Sequence, residues 1–201
     1  MRGRLLGALA AGAALVASAM ISGTASAELA DWTVTPEGAF SGNAGTTILT
    51  IEETGIELAC TSASVDGSAD SGANPIATIP ATPGIQFNDC QGPFGLTFEV
   101  THVGTWDLNG VSYDAGTGVT IGTIDNITAN ISGPGCEATV TGYVDGTYTN
   151  STAVLAVLPN YTLDISFVDP ANDCLGLIEQ GQHSSFNGSF TITPALTVTS
   201  P

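Results

Sequence analysis

Apolar and polar residues alternate with a period of two along much of this chain, and no other feature limits its fold as strongly. "TTILTI" (46–51), "GLTFEVT" (95–101), "GVTIGTI" (118–124), "EATVTGYV" (137–144), "YTLDISF" (161–167) and "GSFTITP" (188–194) all follow this pattern. A strand sends successive side chains to opposite faces, so these segments predict half-buried β-strands. Turn signals fall between or beside them: Asp66-Gly67, Asn109-Gly110, Asp145-Gly146 and Asn187-Gly188. Many short strands with such punctuation predict an all-β fold, an antiparallel β-sandwich or barrel. One short helical turn is expected around "CLGLIEQG" (174–181).

The first 27 residues stand apart from this pattern. Arg2 and Arg4 precede the apolar run "LLGALAAGAALVASAMI", and Ala25-Ser26-Ala27 supplies small residues at the spacing signal peptidase accepts. Residues 1–27 are therefore read as a signal peptide and the protein as secreted. Cleavage after Ala27 leaves 201 − 27 = 174 residues, an all-β domain over 28–201.

That cleavage removes every Lys and Arg in the protein, while all 19 Asp and Glu remain. Such a surface repels phosphate, so the expected partners include no nucleic acid and no anionic membrane surface. Without cations, stability must come from buried apolar area, hydrogen bonds and covalent links. Crowded carboxylates are also expected to repel one another and to hold protons more tightly on average.

Four cysteines follow the cleavage point: Cys60, Cys90, Cys136 and Cys174. An even number in an exported chain favours disulfides, and no Cys-x-x-Cys offers a zinc or redox site. A weak internal repeat suggests the pairing. "GTTILTI" (45–51) and "GVTIGTI" (118–124) agree at five of seven positions. Each is followed by a cysteine and a Val-x-Gly segment, at 65–67 and 140–142. Ile85-Gln86-Phe87 and Ile165-Ser166-Phe167 come next, then Asn-Asp-Cys at 88–90 and 172–174, and later His102 or His183 ahead of Asn-Gly. The series predicts two similar halves, 28–114 and 115–201, with Cys60 bonded to Cys90 and Cys136 to Cys174.

Chemical sites are sparse. Asp169, Asn172 and Asp173 share an oxygen-rich loop and are the weak candidates for calcium, as are Asp66 and Asp70, but neither loop has EF-hand spacing. The acidic turn is read instead as the anchor of a disulfide, so no metal and no cofactor is expected. No Gly-x-Ser-x-Gly elbow occurs, and Glu52, Glu53, Glu57, Glu99, Glu137 and Glu179 form no recognisable catalytic pair. Trp32, Trp106, Tyr113, Tyr143, Tyr148 and Tyr161 are candidates for stacking on sugar rings, or else for the core.

The Ala-rich leader, the Lys-free body and the run "C…VTGYVDGTYTN…LDISF…DCLGLIEQG…FTITP" resemble small secreted β-rich proteins of actinobacterial type. That resemblance carries no catalytic or binding residue with it. The expected role is non-catalytic: a secreted extracellular or envelope-associated structural or binding module, with a cell-envelope or glycan contact. The alternative is a secreted hydrolase with an unrecognised acidic site. A deep cleft with two facing carboxylates would mark the hydrolase, and a filled interior the module.

One outcome follows directly from composition. Trypsin needs Lys or Arg at the cleaved bond, so residues 28–201, reduced and denatured, should stay intact on a mass spectrum after digestion. A specific tryptic fragment from the secreted chain would contradict cleavage after Ala27.

Overall fold

The structure, a computed structural model, describes residues 31–200; the signal peptide read at 1–27 lies outside the described residues. The described residues form fourteen strands: β1 (Thr33–Thr35), β2 (Gly38–Ala44), β3 (Thr47–Ile51), β4 (Glu57–Ala69), β5 (Ala77–Ile79), β6 (Ile85–Gln91), β7 (Thr97–His102) and β8 (Trp106–Asp114) lead. Then come β9 (Val119–Gly133), β10 (Cys136–Thr149), β11 (Val154–Val157), β12 (Leu163–Asp173), β13 (His183–Thr193) and β14 (Thr197–Thr199). Single 3₁₀ turns at Pro93–Gly95 and Cys174–Gly176 interrupt them, the second within the segment expected to be helical.

Twelve strands make one antiparallel sheet, which closes on itself because β9 pairs β10. The fold is all-β and, of the two architectures expected, a barrel. Two rings of eight strands share four long members, β4, β9, β10 and β13. The upper ring runs β2–β4–β5–β8–β9–β10–β11–β13 and back to β2. The lower runs β3–β4–β6–β7–β9–β10–β12–β13 and back to β3. An eight-stranded barrel is just wide enough for side chains to fill it or to hold one small ligand.

Each long strand changes partners part-way along. β4 leaves β6 after Val65 and meets β5 at Ser68, with Gly67 between. β10 leaves β12 at Gly142 and joins β11 at Gly146. β13 changes partners between Asn187 and Gly188. The four dipeptides read as turns therefore all lie inside strands: Asp66-Gly67 in β4, Asn109-Gly110 in β8, Asp145-Gly146 in β10 and Asn187-Gly188 in β13. Their glycines serve close packing instead. A Cβ at Gly67 would sit 2.5 Å from the Phe40 ring, and one at Gly110 would sit 2.3 Å from the Trp32 ring. Glycine within a strand marks such bends and close approaches.

The pairing order of β2–β8 recurs in β9–β13. β2 and β3 together flank β4 as β9 flanks β10; β5 and β6 flank its other edge as β11 and β12 do. By position in the sheet, the counterpart of Val65-Asp66-Gly67 is Val144-Asp145-Gly146, rather than Val140-Thr141-Gly142. The matched heptapeptides are not counterparts either. "TTILTI" forms β3 in the lower ring, whereas "VTIGTI" pairs with β8 in the upper ring.

The two ends of the barrel are finished differently. The β1–β14 ribbon packs Val34, Leu196 and Val198 onto Phe40, Ile192 and Tyr148 at the upper end. Tyr148 Oη donates to Leu196 O at 2.9 Å and accepts from Leu196 N at 3.0 Å, and the Asn150 amide bonds both backbone groups of Val198. At the lower end, disulfides join Cys60 to Cys90 and Cys136 to Cys174. Closing loops of 30 and 38 residues restricts the unfolded chain, worth about 3–4 kcal/mol each.

Gly110→Ala should destabilise the protein by about 1–3 kcal/mol in urea unfolding, since the Trp32 ring must move. Gly45→Ala, which would meet nothing within 4 Å, is the control and should leave stability nearly unchanged. Equal effects would refute the close-packing role of Gly110.

Candidate functional site

Polar chemistry concentrates on the outer face where β8, β9 and β10 run side by side. Asp107 of β8 stands directly opposite Asp125 of β9, so two like charges share one face of the sheet. Opposed like charges destabilise a strand pair unless each finds a donor. Here two asparagines supply donors crosswise: Asn109 Nδ2 donates to Asp125 Oδ2 and Asn126 Nδ2 to Asp107 Oδ2, both at 2.7 Å. Asn126 takes φ 59°, a left-handed conformation that asparagine tolerates better than most residues, where β9 passes from β8 to β7.

One strand further, Asp145 lies across from Thr123 and accepts a hydrogen bond from Asn160 Nδ2. Tyr143 occupies the bulge in β10 between Gly142 and Val144 and is 45% exposed. Thr162 Oγ1 donates to the Tyr143 carbonyl and fixes the bulge to the start of β12. Beside the ring, Asp125, Asn126, Thr128 and Thr141 line an open depression of about 570 Å³. The patch thus offers carboxylate and amide acceptors, hydroxyls and one half-exposed aromatic face, and no cation. It suits ligands that donate hydrogen bonds and carry no negative charge. Asp107 and Asp125 have similar surroundings, both half-buried and each held by one amide.

The residues singled out from sequence are dispersed. Trp32, Trp106 and Tyr148 are buried in the core, Tyr113 is half-buried, and Tyr143 and Tyr161 remain at the surface. Glu52, Glu53, Glu57, Glu99, Glu137 and Glu179 are all exposed, as are Asp66 and Asp70. The segment read as an oxygen-rich loop lies inside β12, where Asp169 Oδ1 accepts from the backbone N–H of Ala171 at 2.6 Å and of Asn172 at 3.3 Å within the irregularity between Val168 and Asp173. Asp173 sits across from Cys136, and the chain then reverses through positive φ at Cys174 and Leu175. No group of three or more acidic, His or Cys side chains suited to a metal occurs among the described residues. Sequence reading missed Asp107, Asn109, Asp125, Asn126, Asp145 and Asn160. The one available signal was Asp-x-Asn at 107–109, which puts both side chains on one face of a strand.

Three carboxylates elsewhere are held ionised by local hydrogen bonds. Hydrogen bonds from Ser71 hold Glu37 below the usual carboxylate range, the His183 N–H does so for Glu53, and the Gly116 N–H for Asp114. The two histidines differ in kind. His183 is exposed and lies 2.7 Å from Asp164 Oδ1. His102 faces inward beside Trp106, and burial lowers its pKa. Its Nδ1 accepts the Ile85 N–H at 3.2 Å, which leaves the proton on Nε2, a buried atom with no partner.

Two disulfides point to an oxidising compartment. Set against known proteins, the chain matches no protein family, no curated protein and no solved structure.

The His102 geometry has a pH consequence. Its folded pKa lies below the unfolded value of about 6.5, so on acidification the unfolded chain binds a proton that the native state refuses. His102 therefore contributes a loss of stability as pH falls from about 6.5 towards the folded pKa. The loss is at most about 1.4 kcal/mol per pH unit, the limit for one proton. Urea unfolding at pH 7.5 and 5.5 should show a larger acid loss in the native sequence than in His102→Gln. Identical losses would show that His102 titrates as it does in the unfolded chain.

Proposed function

We propose that this protein is a non-catalytic module exported from the cell, with a structural or binding role outside it or at its envelope. Its contact surface is the outer patch around Tyr143, and its ligand class is a neutral glycan. The observation that carries this reading is the Asp107–Asp125 pair with its two crosswise asparagines beside an exposed tyrosine. Sugar hydroxyls donate to such acceptors, and a pyranose face stacks on a ring such as Tyr143. Export is supported by the leader at 1–27 together with the disulfides. The absence of Lys and Arg after Arg4 argues against nucleic acid and anionic membranes as partners.

The same proposal covers the architecture: 28–114 and 115–201 are two copies of one unit, supported by the recurring strand pairing. A hydrolase remains the second reading because Asp107 and Asp125 face each other directly. Against it, both lie on an open face, where no cleft excludes water or orients a substrate.

A panel of neutral polysaccharides and purified cell-wall material separates these readings. Retention of the protein without release of reducing ends supports a module. Tyr143→Ala should weaken retention about tenfold, equivalent to the roughly 1.4 kcal/mol upper range of an aromatic contact. Release of reducing ends that stops in Asp107→Asn would establish the hydrolase, and no retention on any polymer would refute the glycan contact.

A further inference from the structure

We infer that the lower end of the barrel is a docking surface for a basic amphipathic segment of another protein. That segment sets apolar side chains on Phe94 and Leu175 and its Lys or Arg against the carboxylates around them. The inference is independent of the outer patch.

Phe94 and Leu175 are large apolar residues, 86% and 58% exposed. Each sits in a 3₁₀ turn with positive φ, 60° and 58°. That left-handed conformation suits glycine or asparagine and strains a bulky residue. Neither side chain offsets the strain by burial in the core, so stability alone does not account for it. The same turn also stands twice. Phe94-Gly95-Leu96 follows β6, and Leu175-Gly176-Leu177 follows β12, the counterpart of β6 in the sheet. Both glycines have positive φ, 72° and 68°, and both leucines are half-buried. The turns border one small apolar hollow, with Pro93 and Leu96 in its wall from the first and Leu175 and Leu177 from the second. Two outward apolar side chains therefore share one end of the barrel, where exposed apolar surface marks an interaction site.

Charge selects the partner. Glu57 lines the same hollow, and Asp173 and Glu179 flank the second turn. Glu99 of β7 and Glu137 of β10 both stand opposite Ser132 of β9, so they share a face beside it. All five carboxylates are exposed. No Lys or Arg follows Arg4, and the one ion pair among the described residues, His183 with Asp164, includes none of them. A second copy of this chain would bring the same carboxylates, and a neutral or anionic bilayer would bring no net positive charge. Apolar side chains within an acidic rim are complementary to apolar residues flanked by Lys or Arg.

The test uses the full secreted chain with synthetic amphipathic peptides of leucine and lysine, serine and lysine, or leucine and glutamate, and with phosphatidylcholine vesicles. Peptide fluorescence anisotropy gives affinity, and backbone amide resonances locate the site. The leucine–lysine peptide should bind, move the resonances of residues 94–96 and 175–177, and weaken with added salt. The serine–lysine peptide should bind at least about tenfold more weakly, and the leucine–glutamate peptide not at all. Phe94→Asn combined with Leu175→Asn should lower leucine–lysine affinity at least about tenfold without lowering the melting temperature, since asparagine tolerates positive φ. Val111→Thr, at an apolar residue 66% exposed on β8, should leave affinity unchanged. Equal binding of the two lysine peptides, resonance shifts confined to other surfaces, or normal binding by the double variant would overturn the inference. So would binding to vesicles or to a second copy in place of the peptide. A lowered melting temperature in the double variant would assign the two side chains to the fold and overturn it too. The peptide comparison on the native chain stands whatever the variant does.

Discussion

The backbone ladder between β9 and β10 holds the molecule closed. It spans thirteen registered pairs from Cys136–Gly133 to Thr149–Val119 and belongs to both rings. Without it the sheet would have two long edges and no enclosed core, and exposed edges invite association with other chains. The apolar alternation of β9 and β10 follows from this position. Ile124, Ile127, Ala129 and Ile131 of β9 and Val140, Val144 and Tyr148 of β10 are all buried, while Asp125, Asn130, Thr139 and Asp145 are not. The bulge at Tyr143 and the left-handed Asn126 lie where this ladder serves one ring and then the other. The candidate surface is thus a by-product of closure: the same irregularity that bends the strands exposes a tyrosine beside paired carboxylates.

Strand content and disulfide pairing were legible in the sequence because each depends on local pattern. Alternation located β3, β7, β9, β10, β12 and β13, and the Asn-Asp-Cys repeat correctly joined Cys60 to Cys90 and Cys136 to Cys174. The Asp-Gly and Asn-Gly dipeptides misled for a physical reason. Glycine relieves crowding inside a narrow barrel as readily as it allows a turn, and only three-dimensional contact, such as Trp32 on Gly110, tells the two uses apart. Where residues 45–51 and 118–124 agree, they share strand chemistry rather than position. The outer patch was hidden because it depends on register: Asp107 and Asp125 are eighteen residues apart and meet only through the β8–β9 pairing.

A chain with 19 acidic residues and no lysine or arginine after Arg4 must hold its carboxylates without salt bridges to those groups. Amides do this work. Asn109, Asn126 and Asn160 each donate to an aspartate on the outer face, and backbone N–H groups serve Glu53, Asp114 and Asp169. Such bonds favour the ionised carboxylate, which is why hydrogen bonding outweighs crowding at Glu37, Glu53 and Asp114. A neutral donor also leaves the net charge intact, so the surface stays uniformly anionic while its acceptors are held in place.

The two ends of the barrel satisfy their polar groups differently. At the upper end Tyr148 and Asn150 meet the backbone of the β1–β14 ribbon, each with a donor and an acceptor, over a tightly buried layer of Val34, Ile192 and Val198. Such an end is a lid fixed by design of its hydrogen bonds. At the lower end disulfides link neighbouring strands, and Phe94 and Leu175 in the nearby turns are exposed. The staples restrict the unfolded chain and tie β4 to β6 and β10 to the end of β12.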